Sequence, residues 1–457
     1  MRINSDKLYE MASVALKQAK NAGMDGSFIN GSLNRVFSTR FANSAIHQNF
    51  VDFETNFEIS VIKGQKRVGV STNALEESNI SWAVERAVKM IKYLPDDPEF
   101  PGVLTESQQY PKLQLNDPNA QNLAASDIAD KVISGINAGH EYSSKIQTVS
   151  GNLNLIDGTM LFMSSEGLEY IAPVTEITST VNVMSDDGSG ESRSNSTFGE
   201  RRFSELPFES EATEVANRSV MGLNAREIDA KEYPVILDFQ AVADQVFFFG
   251  YALSAKMILD QLSFLRDKVG RQVFAESLTM INDPHDSTFL AARALDMEGV
   301  ASQKYTLIDH GVVKNLAHSR LTAKKLKTRS NGCGFVFFGN SFPFPFAAKI
   351  EAGQKSRQQL IEEMDNGLLV TNFHYTNFVD MPRGTETGMT KDGLFIIKNG
   401  EIVGSAKNMR FTDSIPNMFS NVELSKETLQ AVTMYGIGFT VPTMKIDSLN
   451  FSSKTTH

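Results

Sequence analysis

The stretch YPVILDFQAVADQVFFFGYALSAKMILDQLSFL, residues 233–265, changes its hydrophobic period part-way along. Residues 234–237 form an apolar run of strand length. From Ala241 onward, Val242, Val246, Phe249, Leu253 and Met257 recur at helical spacing. The reading is a strand that feeds directly into a long apolar helix, with Asp238, Gln240 and Asp244 at the junction. Corners of this kind often carry the chemistry of α/β proteins, so this one is the first candidate site.

On the N-terminal side, Ser5 is placed to cap a helix with the stripe Leu8, Met11, Ala12, Ala15, Leu16 and Ala19, ended by Gly23 and Gly26. Strands are expected at 36–41, 50–53, 57–62 and 67–70, with helices at 75–93 and about 126–138. From about residue 146 the pattern is strand-rich, with turns read at Asp157 and Gly158 and at Glu166 and Gly167. The polar, serine-rich run 184–202 reads as a mobile loop, and 211–224 as a helix. On the C-terminal side strands dominate, with turns at residues 309–311 and at Asn399 and Gly400. The segment 331–346 holds six phenylalanines among glycines and prolines, too irregular for an element, and the rings read as core plugs. The fold class expected is α+β. An N-terminal sheet-and-helix domain (1–225) precedes a larger β-rich C-terminal domain (226–457), as the length of 457 residues suggests.

Bulk properties narrow the function. With 44 basic and 54 acidic residues the net charge is −10, which argues against a primary nucleic-acid partner. The single cysteine, Cys333, rules out an internal disulfide and any multi-cysteine metal site, and suits a reducing compartment. The N-terminus lacks an apolar core of signal-peptide type. The longest apolar uncharged run, 246–255, is far short of the roughly 20 residues that span a bilayer. A cytoplasmic protein without a membrane span is expected.

Motifs for chemistry are sparse. None of the seven histidines has another three to five residues away, so no helix-borne zinc pair of the HExxH type exists. Cys333 is a nucleophile candidate with His310, His318 or His374 as base, against the plainer reading of a small buried residue. Gly188, Ser189 and Gly190 offer an anion nest but lack a P-loop lysine; a solvated loop is the simpler reading. Asp238 and Asp244 are acid–base or metal candidates, while a helix cap is the commoner role for a carboxylate at a helix start.

Several segments, taken in order, resemble the TldD/PmbA family, long labelled modulator of DNA gyrase. They are RFAN (40–43) with HQN (47–49), VGVSTN (68–73) before WAVERAV (82–88), SSEG (164–167), and the loop 187–193. GLLVTN (367–372), TGMTKDG (387–393) and KNGEI (398–402) follow. The family has catalytic members, in which HExxxH and a late cysteine hold zinc and the glutamate is the general base. It also has PmbA/TldE-like members that lack these and pair with the first kind. Matched to HExxxH, this chain has Phe239 at the first histidine, Gln240 at the glutamate and Asp244 at the second histidine; Tyr435 stands at the cysteine. Phenylalanine offers zinc no lone pair, and an amide is no general base.

The resemblance therefore implies a non-catalytic PmbA/TldE-like subunit with no catalytic residue of its own, no metal and no other cofactor. Its partner would be a TldD-like metallopeptidase and its substrate a peptide, with a homodimer as a possible state of the isolated chain. The alternatives are a hydrolase using another site, or a gyrase or DNA-topology modulator acting by binding.

Overall fold

The computed structural model describes residues 5–337, 340–433 and 436–454. After helix α1 (Ser5–Asn21), three strands follow: β1 (Gly26–Ala42), β2 (Ala45–Lys63) and β3 (Lys66–Thr72). Helices α2 (Glu77–Met90) and α3 (Ala125–Glu141) flank a long connection without strands. Then come β4 (Ile146–Ser164), β5 (Glu169–Asp186), β6 (Glu191–Glu200) and helix α4 (Phe208–Met221). The six strands pair antiparallel in the order β3-β2-β1-β4-β5-β6.

The two-residue period of a strand explains how this sheet is covered. Ile29, Phe37 and Phe41 of β1 share a face with Leu153, Leu155, Leu161 and Met163 of β4. Helices α1 and α2 bury one end of that face, and α3 and α4 the other. Phe28 and Phe162, at even positions, turn to the opposite face and pack near Ala294 and Leu295 of the second half.

Three local expectations are corrected here. Asp157 and Gly158 lie inside the continuous strand β4, because the Asp157 carboxylate pairs with Arg35 at 2.9 Å across the sheet. The serine-rich run is not a loop: its residues 191–200 form β6, with Ser194, Ser196 and Phe198 buried in alternation. The segments 50–53 and 57–62 belong to one strand, β2, whose exposed first part hides the period.

The second half opens with β7 (Glu232–Leu237), α5 (Phe239–Ala252) and α6 (Ala255–Leu259). Short strands β8 (Met280–Asn282), β9 (Tyr305–Asp309) and β10 (Val312–Val313) precede helix α7 (Arg320–Leu326). The phenylalanine-rich segment forms a two-stranded ribbon, β11 (Gly334–Phe337) with β12 (Asn340–Pro343), where no element was expected. Phe344 does plug the core: a Cβ at Gly250 would sit 2.4 Å from its ring. Strand β13 (Ala348–Ile350) and helix α8 (Arg357–Glu362) lead to the long hairpin β14 (Asn366–Asp380) and β15 (Thr385–Lys398). The chain closes with β16 (Glu401–Ser405), β17 (Met409–Ser414), α9 (Ile415–Met418), β18 (Val422–Val432) and β19 (Gly438–Lys454). The Asn399 and Gly400 turn has both residues at positive φ, as a tight two-residue hairpin demands.

The architecture is α+β, with the second half rich in strand. Among the described residues no helix is long and apolar enough to cross a membrane. Strand β7 lies between β14, parallel to it, and β19, antiparallel. Helix α5 packs on these strands and is buried nearly all round, which explains its mostly apolar sequence outside Gln240, Asp244 and Gln245. The expected single long helix is interrupted after Ala252. There Ala317 accepts from Ala255 N–H and donates to the Leu253 carbonyl, so the helical ladder breaks and α6 starts anew.

The two halves meet around Arg201, which is only 2% exposed. Its guanidinium donates to the carbonyls of Leu115, Thr175, Phe289 and Leu290 at 2.6–2.9 Å. One side chain thus joins the long connection, β5 and the second half. Because each buried acceptor left without a donor costs roughly 1–3 kcal/mol, Arg201→Ala is expected to destabilise the chain by on the order of 3 kcal/mol or more, read by chemical unfolding.

Candidate functional site

The corner between β7 and α5 is built by Asp238. Its carboxylate accepts from the Phe239 N–H at 3.1 Å, capping the helix, and its own N–H donates to Val370 of β14. Arg357, the first residue of α8, grips the same carboxylate with two hydrogen bonds of 3.0 and 2.8 Å. The Thr443 hydroxyl of β19 adds a third contact at 3.1 Å. Burial alone would raise the Asp238 carboxyl. The positive charges of Arg357 and then Arg218 outweigh burial and hold it below the usual carboxylate range. Asp238 is therefore a permanently ionised cap, bonded on all sides.

The three described positions of the emptied motif fall on the next turns. Phe239 is half-buried and packs against the core of the second half. Gln240 donates its amide to the Val432 carbonyl at 3.1 Å, and its own carbonyl oxygen has no partner. Asp244 lies one helical turn further on. Burial pushes its carboxyl up to about 7, against the Gln240 amide and the Phe373 backbone, which favour the charged form. Val432 ends β18, and the turn after it closes through Thr433, Gly436 and Ile437. Tyr435, the fourth position, lies outside the described residues. The fold thus bonds Gln240 to Val432 at the end of β18, although 192 residues separate them in sequence.

These residues do not fit a zinc ion. Phe239 has no donor atom, Gln240 offers only a neutral amide oxygen, and Asp244 is the one carboxylate of the set. Among the described residues no three histidine, cysteine or carboxylate side chains converge as a metal cage.

The remaining candidates are placed apart from this corner. Cys333 is buried, its sulfur lies 3.1 Å from the Tyr305 hydroxyl, and burial pushes the thiol up to about 12. It stays protonated at neutral pH, which does not suit a nucleophile. His310 is turned outward to Asp309, and the buried Nδ1 of His318 has no partner. Burial holds His374 below the usual imidazole range. The Gly188 and Ser189 N–H groups are already taken by Asp186 and Asp187, so the nest is filled from within.

The sequence alone does not single out Glu386 of β15 or Gln245 of α5, both fully buried. Neither Glu386 oxygen makes a hydrogen bond of good geometry, although the Gln245 amide lies beside it. Burial pushes its carboxyl up to about 8; the Gln245 amide opposes this, while Asp413 and Asp244 add to it. One signal was available: Glu386, Gly388 and Thr390 alternate on the inward face of β15, where a carboxylate is out of place.

Comparison with known proteins follows from this geometry. Residues 230–453 match the family described as PmbA/TldA metallopeptidase C-terminal domain. A metalloprotease PmbA homolog of Haemophilus influenzae is 25% identical, over 92% of each chain. A metalloprotease of Methanocaldococcus jannaschii is 26% identical over 61% of this chain, which spans 62% of that relative's length. The crystal structure of TldE from Thermococcus kodakarensis superposes with a TM-score of 0.87 at 19% identity, covering 96% of this chain and 99% of that one.

Two outcomes are expected from the site. Asp238→Asn should cost about 3 kcal/mol in unfolding experiments, because Arg357 is left with only the more distant Glu214 carboxylate at 3.8 Å. Since the folded Asp238 value is depressed, the stability it supplies is present above about pH 4 and lost as pH falls through the folded value. The raised carboxyls act in the opposite direction. Asp244 and Glu386 hold protons in the folded state that the unfolded chain has released, so stability declines as pH rises from about 4.5 through 8. A melting temperature higher at pH 5.5 than at pH 8.5, with a shallower slope in Glu386→Gln, is the expected result. Residues 230–453 match the PmbA/TldA C-terminal domain and the whole chain shares the fold of TldE, so this protein is similar to the TldD/PmbA proteins along its length.

Proposed function

We propose that this chain is the non-catalytic, PmbA/TldE-like subunit of a two-chain cytoplasmic peptidase, paired with a TldD-like zinc metallopeptidase that trims or cleaves peptides. The observation that carries this reading is the corner itself: the strand-to-helix scaffold is complete, while the ligand positions hold Phe239, Gln240 and Asp244. The Gln240 amide bridging to Val432 supports a structural use of the corner, as a brace between α5 and the β18–β19 turn. The partner brings the metal and the chemistry; this chain brings the second wall of the chamber. Residues 1–225 and 226–457 act as its two domains, and an isolated chain pairs with itself through the surface meant for a similar partner.

The test is to purify the chain alone and together with a TldD-like partner, then measure zinc and peptide cleavage. The lone chain is expected to hold well under one zinc and cleave nothing, and the pair to do both. Stoichiometric zinc and hydrolysis by the lone chain would overturn the reading. Hydrolysis by the lone chain that falls in Cys333→Ala, Asp238→Asn or Asp244→Asn would transfer it to an independent hydrolase.

A further inference from the structure

We infer that a cleft between the long connection and helix α7 is a binding site for a carboxylate-bearing peptide. The cleft has a volume of about 700 Å³, within the range of small-ligand sites. Pro101, Glu106 and Gln108 line one wall, and Arg320, Lys324 and Arg329 the other.

The charges there are unbalanced. Arg320 and Lys324 stand four apart on α7, so two like charges share one helical face, a mildly unfavourable arrangement. Their heads donate to backbone carbonyls: Arg320 to Gly102 and Val103 at 3.0 and 3.1 Å, Lys324 to Phe100 at 3.0 Å. A carbonyl fixes a cation's position without neutralising it. Behind the helix, Glu298 accepts from the Arg320 N–H and also faces Arg67, so it offsets one of those two cations. Arg329 lines the cleft, is exposed, and has no hydrogen bond or ion pair among the described residues. Glu106 is the one carboxylate on the lining.

Two cations held rigidly on backbone and a third left free suit a planar carboxylate, which a guanidinium binds through two parallel hydrogen bonds. Ser107 and Gln303 supply neutral donors and acceptors for a peptide backbone, while the Gln108 amide is held by Ala301 and Glu106. The net charge of −10 makes a nucleic acid the poorer occupant. Calling the ligand a peptide rests on the proposed function; the capture of a carboxylate does not.

The experiment is calorimetric titration of the full chain at low salt with three probes: N-acetyl-trialanine, its C-terminal amide, and N-acetyl-Ala-Glu-Ala-amide. At least one carboxylate probe should bind, and the one that binds tells a terminal from a side-chain carboxylate. The uncharged amide should bind at least tenfold more weakly. Arg329→Ala, a partnerless exposed site whose loss leaves the fold intact, should weaken carboxylate binding about tenfold, and Arg329→Lys less. Equal binding of the uncharged amide, an unchanged affinity in Arg329→Ala, or tighter binding of a single-stranded oligonucleotide would overturn the site. Zinc content and cleavage by the paired complex are read separately. Failure there with carboxylate binding intact counts against the proposed function alone, and the reverse against this site alone.

Discussion

The clasp of Asp238 by Arg357 is the contact on which the second half depends. One carboxylate caps α5, holds α8 through a two-pronged ion pair, and accepts from β19. A charge this deeply buried needs close donors, and here Phe239, Arg357 and Thr443 give it four hydrogen bonds. Because β7 is sandwiched between β14 and β19, the residue that follows it is fixed at the centre of the sheet. Whatever stands on the next two turns of α5 is presented at the same place, whether or not it can hold a metal.

That arrangement separates scaffold from chemistry. Phe239, Gln240 and Asp244 occupy well-supported positions, Phe239 against the core and Gln240 bonded to Val432. Gln240 has become a brace, and Asp244 and Glu386 sit where burial favours their neutral forms. Buried carboxylic acids without full sets of partners reduce stability.

Much of the framework was legible from local pattern. The change of period at Asp238, the tight turn at Asn399 and the stripes of α1 to α3 each depend on neighbours in sequence. Errors arose where distant residues override local preference. Asp157 and Gly158 look like a turn, but Arg35 across the sheet keeps them in a strand. The run 191–200 looks like a loop, yet its alternating serines pair along β5. The helix from 241 onward looks continuous until Ala317, 65 residues downstream of Ala252 (317 − 252), takes its backbone bonds.

The sequence alone determined that this corner holds no HExxH-type histidine pair, since a phenylalanine ring lacks a lone pair in any fold. It also determined the α+β class and the family resemblance, because periodicity and ordered motifs are local or linear properties. Only the tertiary structure decided that Asp238 is a clasped cap, that Gln240 meets the β18–β19 turn, and that Glu386 is buried without a hydrogen bond of good geometry. It also set Arg320, Lys324 and Arg329 around one cleft with the connection that runs past them. Burial and charge balance are sums over neighbours in space, and a chain written in order does not list those neighbours.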